Sequence, residues 1–324
     1  MKLRLNGLRM PSPSNKKLVV IVGPTAVGKT DLAIELAEAL NGEIISADSR
    51  YFYRGMDIGT AKPDENQLGR IKHYLIDVAD IRENWSLAVY QRSVKAAMEE
   101  IISKGKLPFL VGGTGQYIRA IIEGWQIPAK APDPKLRNIL EIWMQRLGAE
   151  ALHKKLSILD PSAAANIDFR NKRRTIRALE VIFHTGRKFS DQRKKGSPDF
   201  AYKMVGLNRD RRQLYDRIDR RIEEMFKKGF IYEVKALLNQ GYSIQDPPLS
   251  AIGYQEVIQY IEGSMNLQEC IEQIKKKSRE FVRRQANWFK STDERIKWFD
   301  ISTDRRGEII AFIKSPDGWI SEEV

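Results

Sequence analysis

The sequence predicts an α/β protein of the P-loop NTPase type, with a parallel sheet flanked by helices and an inserted all-helical segment. Short apolar runs rich in Val and Ile alternate with helical patterns between residues 18 and 111, which is typical of a parallel sheet. A glycine-rich phosphate-binding pattern joins the first of these strands to the first helix. A strand pattern returns only at 203–207, after a long charged and helical stretch.

Each expected element rests on its apolar pattern. The run Leu18–Val22 is apolar throughout, as in a strand buried on both faces. Residues 30–40 place Leu32, Leu36 and Leu40 on one helical face. Further strands are expected at 43–47, 107–111 and 203–207. Further helices are expected at 85–104, 211–240 and 267–290.

Composition changes along the chain and divides it into segments. Residues 127–134 carry three prolines and no helical period, which favours a hinge at the start of the insertion. The first fifteen residues are basic and lack the apolar run of a signal peptide. The expected segments are a disordered basic tail (1–15), a discontinuous P-loop catalytic core (16–125 plus 200–300), a helical insertion (126–199) and a C-terminal tail (301–324).

Overall composition excludes several classes of protein. The single cysteine, Cys270, cannot form an intrachain disulfide, and no Cys or His cluster has zinc-binding spacing. No apolar stretch approaches the roughly 20 residues that cross a bilayer, so we expect no membrane association and a reducing, cytoplasmic setting. The net charge of +13 favours a polyanionic partner, because neutralised phosphates release counterions. An excess that only aids solubility is the alternative.

The pattern GPTAVGKT fits the P-loop signature and stands between a strand and a helix. Its glycines let backbone N–H groups turn toward phosphate oxygens, and the helix N-terminus adds partial positive charge. Lys29 is expected to reach the terminal phosphate, and the Thr30 hydroxyl to ligate Mg²⁺. The residues expected to bind phosphate are Gly23, Pro24, Thr25, Ala26, Val27, Gly28, Lys29 and Thr30.

Polar residues follow the second and third expected strands. Asp48 follows 43–47 and should face the P-loop, because ligands bind beyond the carboxyl ends of parallel strands. Its carboxylate could act as a general base or could close a turn. Strand 107–111 ends in glycines and Thr114 rather than the Asp of many ATPases. This favours a transferase over a motor or switch; Thr114 could contact substrate or close a turn.

Basic residues cluster in two places. Between 170 and 195 the acidic residues are only Glu180 and Asp191, so one helix should present a strongly basic side. A second basic helix is expected near 275–290. One-sided charge of this kind favours contact with nucleic acid, whereas a solvated helix face is the alternative.

Taken together, the segments resemble the tRNA dimethylallyltransferases, the isopentenyl (IPP) transferase family that modifies adenosine in the anticodon loop. The resemblance runs from about Lys16 to Asp300. Because the chain has no C-terminal zinc-finger extension, it resembles the bacterial type. The motifs that carry the resemblance are GPTAVGKT, ISADSRYFYRGMDIGTAKP, LPFLVGGTGQYIRA, RRTIRALEV, GLNRDRRQLYDRI, SAIGYQE and RRQANWFK.

The resemblance implies transfer of a dimethylallyl group from dimethylallyl diphosphate to N6 of adenosine 37 in tRNAs reading UNN codons. It implies Mg²⁺ as cofactor, the tRNA anticodon stem-loop as partner, a tRNA-binding role for 126–199, and a monomer. Asp48 is implied as general base, Thr114 as a contact near the reaction centre, and Arg211 as a diphosphate ligand beside Lys29 and Thr30. Residues implied in tRNA contact are Asp48, Ser49, Arg50, Tyr51, Thr114, Arg137, Arg173, Arg174, Thr175, Ile176, Arg177, Ser250, Ala251, Ile252, Gly253, Tyr254 and Gln255.

Three other functions remain open from the sequence. A P-loop kinase of a nucleotide or small molecule would predict steady ATP turnover and would leave the basic insertion without a purpose. A non-catalytic RNA-binding protein would make no demand on Asp48. A prenyltransferase acting on free adenine nucleotides is a closer rival, against which the extended basic surface argues.

Overall fold

The computed structural model describes residues 16–83, 85–127, 133–191 and 196–321. The predicted tail at 1–15 and most of the predicted hinge at 127–134 lie outside these residues. The chain falls into two compact units, one of Met1–Trp85, Gln91–Ile122 and Pro198–Val324, the other of Ser86–Tyr90 and Glu123–Ser197. Within the described ranges, no helix has the length and apolar character needed to span a bilayer.

The first unit is built on a six-stranded sheet in which every hydrogen-bonded pair of strands is parallel. Its strands are β1 (Lys17–Val22), β2 (Gly42–Ser46), β3 (His73–Tyr74), β4 (Leu107–Val111), β5 (Ala201–Asn208) and β6 (Ile296–Asp300). They lie in the order β3-β2-β4-β1-β5-β6. Residues 18–22 of the central strand β1 are fully buried, which explains their uniformly apolar sequence. The predicted parallel α/β fold is confirmed.

The helices are α1 (Lys29–Ala39), α2 (Glu65–Arg70), α3 (Leu87–Ser103), α4 (Gly115–Ile122), α5 (Pro134–Leu147), α6 (Ala149–Leu159), α7 (Pro161–Ala165), α8 (Lys172–Thr185), α9 (Arg211–Lys227), α10 (Phe230–Asn239), α11 (Tyr254–Ile261), α12 (Leu267–Gln285) and α13 (Arg306–Lys314). The helical pattern predicted at 211–240 forms two helices, α9 and α10. The chain breaks at Gly229, whose φ of 97° is left-handed, and restarts as α10. The helix predicted at 267–290 ends at Gln285.

The second unit consists mainly of α5 to α8. Its core includes Leu140, Met144, Leu152 and Leu156, all buried. Aspartates start its helices: the Asp133 carboxylate accepts backbone N–H groups at the start of α5, and Asp160 does so for α7. This unit therefore holds itself together with its own apolar core.

The segment after residue 300, which was predicted to be a C-terminal tail, contains α13. Ile309 and Ile313 of this helix are buried. The fully buried Lys203 of β5 donates from Nζ to the carbonyl oxygens of Phe312 (2.6 Å) and Ser315 (2.8 Å). An ammonium at a helix C-terminus satisfies carbonyl groups that lack helical partners. Lys203 thus ties the central sheet to the last helix.

Candidate active site

The phosphate-binding turn connects β1 to α1. A side chain at Gly23 would meet the Leu207 carbonyl oxygen at 2.6 Å, so only glycine allows this approach. Ala26 and Gly28 have φ values of 60° and 111°, a left-handed backbone that curls the turn. Val27 is fully buried beneath it. The turn opens onto the N-terminus of α1, which is the geometry of an anion site.

The Lys29 ammonium lies against this turn. Its Nζ donates to the carbonyl oxygens of Gly23 (3.1 Å) and Pro24 (2.8 Å). Burial lowers the pKa of Lys29 to about 8, while the Asp48 carboxylate raises this pKa and the Arg221 guanidinium lowers it. Lys29, Asp48 and Arg221 are therefore electrostatic neighbours.

Asp48 stands just beyond β2 in a tight turn. Its N–H donates to Ser46 Oγ at 3.2 Å, and its Oδ1 accepts the N–H of Arg50 at 3.0 Å. These bonds hold the carboxylate in one orientation. The aspartate closes a turn, and it also lines two cavities. The two interpretations drawn from the sequence are compatible.

Close approach of β2 and β4 brings Thr114 beside Asp48. A side chain at Gly112 would meet the Ala47 carbonyl oxygen at 2.3 Å. Thr114 donates its N–H to that same oxygen (3.2 Å), and its Oγ1 accepts the N–H of Ser49 at 3.3 Å. Thr114 therefore closes a turn and also lines the second of the two cavities.

The first cavity, here the P-loop cavity, has a volume of about 410 Å³. It is lined by the P-loop from Thr25 through Thr30, except Val27, and by Asp48. Tyr51 also lines it: its hydroxyl donates to the Ala61 carbonyl oxygen at 2.9 Å and lies in hydrogen-bonding range of Thr30. Burial and then the nearby Asp48 raise the pKa of Tyr51 well above its usual value. Tyr51, expected on tRNA, instead lies on the phosphate side because its side chain turns inward.

Sequence reasoning missed three arginines on α9 that line the P-loop cavity, Arg217, Arg220 and Arg221, of which the first and last contact neighbouring loops. Arg217 donates from Nε to the Ala26 carbonyl oxygen at 2.8 Å, and Arg221 donates to the Thr60 carbonyl oxygen at 3.3 Å. Their spacing of four residues puts them on the same face of a helix. That spacing was visible in the sequence, but nothing local indicated that this face meets the P-loop.

Arg211, which the resemblance implies as a diphosphate ligand, does not line the P-loop cavity. It lines a third cavity of about 780 Å³ together with Arg209 and Arg283, on a side of the P-loop that includes Gly23 and Pro24. Arg211 starts α9 and is six residues from Arg217, so the two side chains leave the helix on different faces.

The second cavity, here the aromatic cavity, has a volume of about 510 Å³. Its rings come from α9, α10 and α12 and from the turn after α12, and Asp48 and Thr114 lie on its wall. These aromatic residues are Phe226, Phe230, Phe281 and Trp288. The residues common to both cavities are Thr25, Ala26, Asp48, Thr60 and Arg221. Asp48 is thus the carboxylate that the two cavities share.

A buried glutamine holds this junction together. Gln285, at the end of α12, accepts the N–H of Thr25 at Oε1 (2.8 Å) and donates from Nε2 to the Gly113 carbonyl oxygen (3.2 Å). It therefore fixes the P-loop relative to the turn after β4. No pattern in the sequence indicates this role, because the bonded residues are 260 and 172 positions apart along the chain.

The predicted tRNA contacts of the first unit divide into two groups. Ser49, Arg50 and the segment 250–253 line the aromatic cavity, as does Thr114. Tyr254 does not qualify: it is fully buried, and its hydroxyl donates to Glu233. Gln255 is half-buried and lines none of these cavities.

The predicted contacts of the second unit divide similarly. Thr175 and Ile176 are buried in α8, so their side chains are closed to a partner, which corrects that expectation. Arg173 is exposed and Arg174 half-buried. Arg137 and Arg177 are half-buried and pair with Glu141 and Glu180. Residues 193–195 of the basic stretch lie outside the described part of the chain.

The P-loop cavity is suited to Mg²⁺ only together with a phosphate ligand. Among the described residues, no group of three or more His, Cys, Asp or Glu side chains could hold a metal. The Thr30 hydroxyl and the Asp48 carboxylate line the same cavity. Mg²⁺ is commonly held by one or two protein oxygens plus substrate phosphates, so the residues present fit the ion when a diphosphate supplies further ligands.

Comparison with known proteins shows the family of the chain. The family model described as IPP transferase matches residues 51–292. The tRNA dimethylallyltransferase of Thermomicrobium roseum is 43% identical over 287 residues, covering 89% of this chain and 87% of its own. That of Bacillus cytotoxicus is 43% identical over 309 residues, covering 94% of this chain and 97% of its own.

Solved structures give the same result. A tRNA isopentenylpyrophosphate transferase from Bacillus halodurans matches with a TM-score of 0.68 and 42% identity, covering 92% of this chain and 96% of that one. A eukaryotic dimethylallyltransferase acting on tRNA matches with a TM-score of 0.78 and 27% identity, covering 92% of this chain and 78% of that one. Since the family model spans most of the chain and these relatives align along nearly all of it, the chain belongs to the IPP transferase family.

Proposed function

We propose that the protein transfers the dimethylallyl group of dimethylallyl diphosphate to N6 of adenosine 37 in the anticodon loop of tRNAs reading UNN codons. The observation that carries this proposal is the position of Asp48, whose carboxylate lines both the P-loop cavity and the aromatic cavity. A base shared by two cavities can act where a substrate from one meets a substrate from the other. Each cavity has the chemistry of one of these substrates.

The P-loop cavity is the donor site. Backbone N–H groups, the Lys29 ammonium and the Arg217 and Arg221 guanidinium groups surround a space sized for a small diphosphate. Apolar side chains, among them Ile44 and Val111, complete the wall. Cations meet the charge that grows on the leaving diphosphate, and apolar walls accept a hydrocarbon chain.

The aromatic cavity is the adenine site. Phe281 and Trp288 offer ring faces, and Arg50 and Arg284 offer planar cations. A base removed from its stack is held by such groups. Unstacking costs a few kcal/mol, which binding of the rest of the tRNA must offset. Arg173, Arg174, Arg137 and Arg177 of the second unit are proposed to supply part of that binding through phosphate contacts.

The reaction is then a single displacement with the two substrates on opposite sides of Asp48. N6 of the adenine forms a bond to C1 of the dimethylallyl group, and the C1–O bond breaks with its electron pair leaving on the diphosphate. The Asp48 carboxylate takes the N6 proton, and Thr114 fixes the turn beside it. When bound, Mg²⁺ would be held by Thr30 and the diphosphate, and it supplies charge stabilisation of the leaving group. We further propose that the enzyme acts in the cytoplasm as a monomer.

Incubation of the protein with Mg²⁺, labelled dimethylallyl diphosphate and unmodified tRNA tests the proposal. We expect label in tRNA, and nuclease digestion followed by mass spectrometry should locate N6-dimethylallyladenosine at position 37. A parallel reaction receives free AMP in place of tRNA, and another receives ATP in place of the donor. Label in AMP but not in tRNA, or phosphoryl transfer from ATP with no prenyl transfer, would overturn the proposal.

A further inference from the structure

A loop from Asp57 to Ala61 contributes to the walls of both cavities through its last three residues. Thr60 lines both cavities, and Ala61 lines the P-loop cavity. Ala61 has a φ of 52°, a left-handed conformation that costs an alanine energy unless its surroundings impose it. Something outside the loop must therefore hold it in place.

Glu233, in the first turn of α10, provides that hold. Its Oε2 accepts the backbone N–H groups of Asp57 (3.0 Å) and Ile58 (2.6 Å), and its Oε1 accepts that of Gly59 (3.1 Å). Oε1 also accepts the Tyr254 hydroxyl at 2.6 Å. One carboxylate thus orders three consecutive peptide groups that lie about 175 residues earlier in the chain.

Packing fixes the same loop from beneath. A side chain at Gly59 would meet the Phe230 ring at 2.1 Å and the Tyr254 ring at 2.7 Å. These two rings stand edge to face with centroids 5.1 Å apart. The Glu233 carboxylate and these two rings therefore both contact the loop and restrict its position.

The loop in turn accepts hydrogen bonds from two residues that line the P-loop cavity. The Thr60 carbonyl oxygen accepts from Arg221 (3.3 Å), and the Ala61 carbonyl oxygen accepts from the Tyr51 hydroxyl (2.9 Å). Arg221 is an electrostatic neighbour of Lys29, and Tyr51 lies beside Thr30. The path from Glu233 thus ends at the groups proposed to hold the diphosphate.

We propose that Glu233 is a positioning residue for the donor: it sets the 57–61 loop, and through this loop it orients Arg221 and Tyr51 around the diphosphate. The inference rests on the proposed function, which makes the P-loop cavity the donor site. It assigns no contact between Glu233 and either substrate. Because Tyr51 and Ala61 line the P-loop cavity and not the aromatic cavity, whereas Arg221 and Thr60 line both, its effect should be larger on donor binding than on tRNA binding.

Glu233→Gln is the informative change because the two side chains have nearly the same shape. An amide can accept at only one position, so its NH₂ group would face backbone N–H groups that now contact a carboxylate oxygen. The loop must shift to relieve this conflict. Glu233→Asp keeps the carboxylate but shortens its reach, and should restore part of the lost function. Glu262→Gln, an exposed residue just after α11, is the matched control.

The experiment measures binding of inorganic diphosphate with Mg²⁺ by calorimetry, then steady-state KM for the donor and for tRNA. We expect Glu233→Gln to raise both the diphosphate Kd and the donor KM about tenfold. Glu233→Asp should show a smaller rise, and Glu262→Gln none. In Glu233→Gln the tRNA KM should rise less than the donor KM, since Tyr51 lines the P-loop cavity and not the aromatic cavity, and in Glu262→Gln it should not change.

Two results would overturn the proposal. One is an unchanged diphosphate Kd in Glu233→Gln. The other is an equal loss of donor and tRNA affinity, with Glu233→Asp no better than Glu233→Gln, which a purely structural role would produce. If Glu233→Gln does not fold, the diphosphate Kd of Glu233→Asp decides. Failure of wild-type protein to prenylate tRNA would end the proposed function, while diphosphate binding would still test Glu233.

Discussion

The two cavities that meet at Asp48 differ in how the chain builds them. The P-loop cavity takes its phosphate-binding wall from one short stretch, Thr25–Thr30 without Val27, which belongs to a motif with glycines and a lysine at fixed spacing. The aromatic cavity collects its rings from helices and a turn spread over residues 226–288. A phosphate site can be local, because backbone N–H groups do most of the binding. A site for a flat base needs ring faces brought together from several elements. The difference predicts that changes on each side affect different substrates.

The carboxylate between the cavities should show the largest effect. Asp48→Asn keeps the shape and the turn but removes the base, so we expect kcat to fall about a hundredfold to ten-thousandfold. Because binding groups on both sides remain, KM values for donor and tRNA should change little. Single-turnover transfer of labelled dimethylallyl measures the fall in rate, and steady-state kinetics measures the two KM values. A large rise in either KM with kcat preserved would instead place Asp48 in binding.

Two arginines of α9 line different cavities and should therefore differ in their effect on donor binding: Arg217 lines the P-loop cavity and Arg211 the third cavity. Arg217→Gln removes a cation that contacts the P-loop, and loss of a charge-assisted bond of about 1.5–3 kcal/mol should raise the donor KM about thirtyfold. Arg211→Gln, on the same helix but lining the third cavity, should raise it less than about twofold. If the two changes raise the donor KM equally, Arg211 also binds the diphosphate and the two arginines do not differ in this respect.

Changes in the aromatic cavity should raise the KM for tRNA and leave the KM for the donor unchanged. Phe281 lines the aromatic cavity and is 39% exposed, so Phe281→Ala should leave the fold intact. Loss of one stacking face is worth about 1–3 kcal/mol, and we expect the tRNA KM to rise about tenfold with the donor KM unchanged. Tyr232→Ala, at a residue 77% exposed and outside the cavity, is the control and should change neither KM.

The smallest effect comes from pH and acts only on the donor side. The pKa of Lys29 is lowered to about 8, so its ammonium is present below that pH and is lost as the pH rises through it. Donor KM should therefore increase about fourfold between about pH 7 and pH 8.5, while tRNA KM at fixed salt stays level. Lys29→Arg keeps its charge throughout and should flatten the donor profile. A profile that persists in Lys29→Arg would assign the titration to another group.

Much of the fold could be predicted from local pattern. The uniformly apolar run 18–22 became the central strand, and strand 107–111 has the predicted bounds. The helical pattern predicted at 211–240 did not locate the break at Gly229, where a left-handed φ separates α9 from α10. The two-residue strand β3 is too short to carry a period. The role of Lys203 could not be predicted, since its carbonyl partners lie about 110 residues later.

The sequence by itself determined the phosphate-binding turn, the acidic residue after β2 and the family resemblance, because each depends on residues adjacent in the chain. Only the tertiary structure decided which arginines reach the P-loop, which way Tyr51 points and that Tyr254, Thr175 and Ile176 are buried. It also decided that Glu233 contacts the 57–61 loop. Those features depend on which helix face meets which strand end. Burial of apolar surface across the whole molecule decides how helices and strands pack, and local residue spacing does not encode that packing.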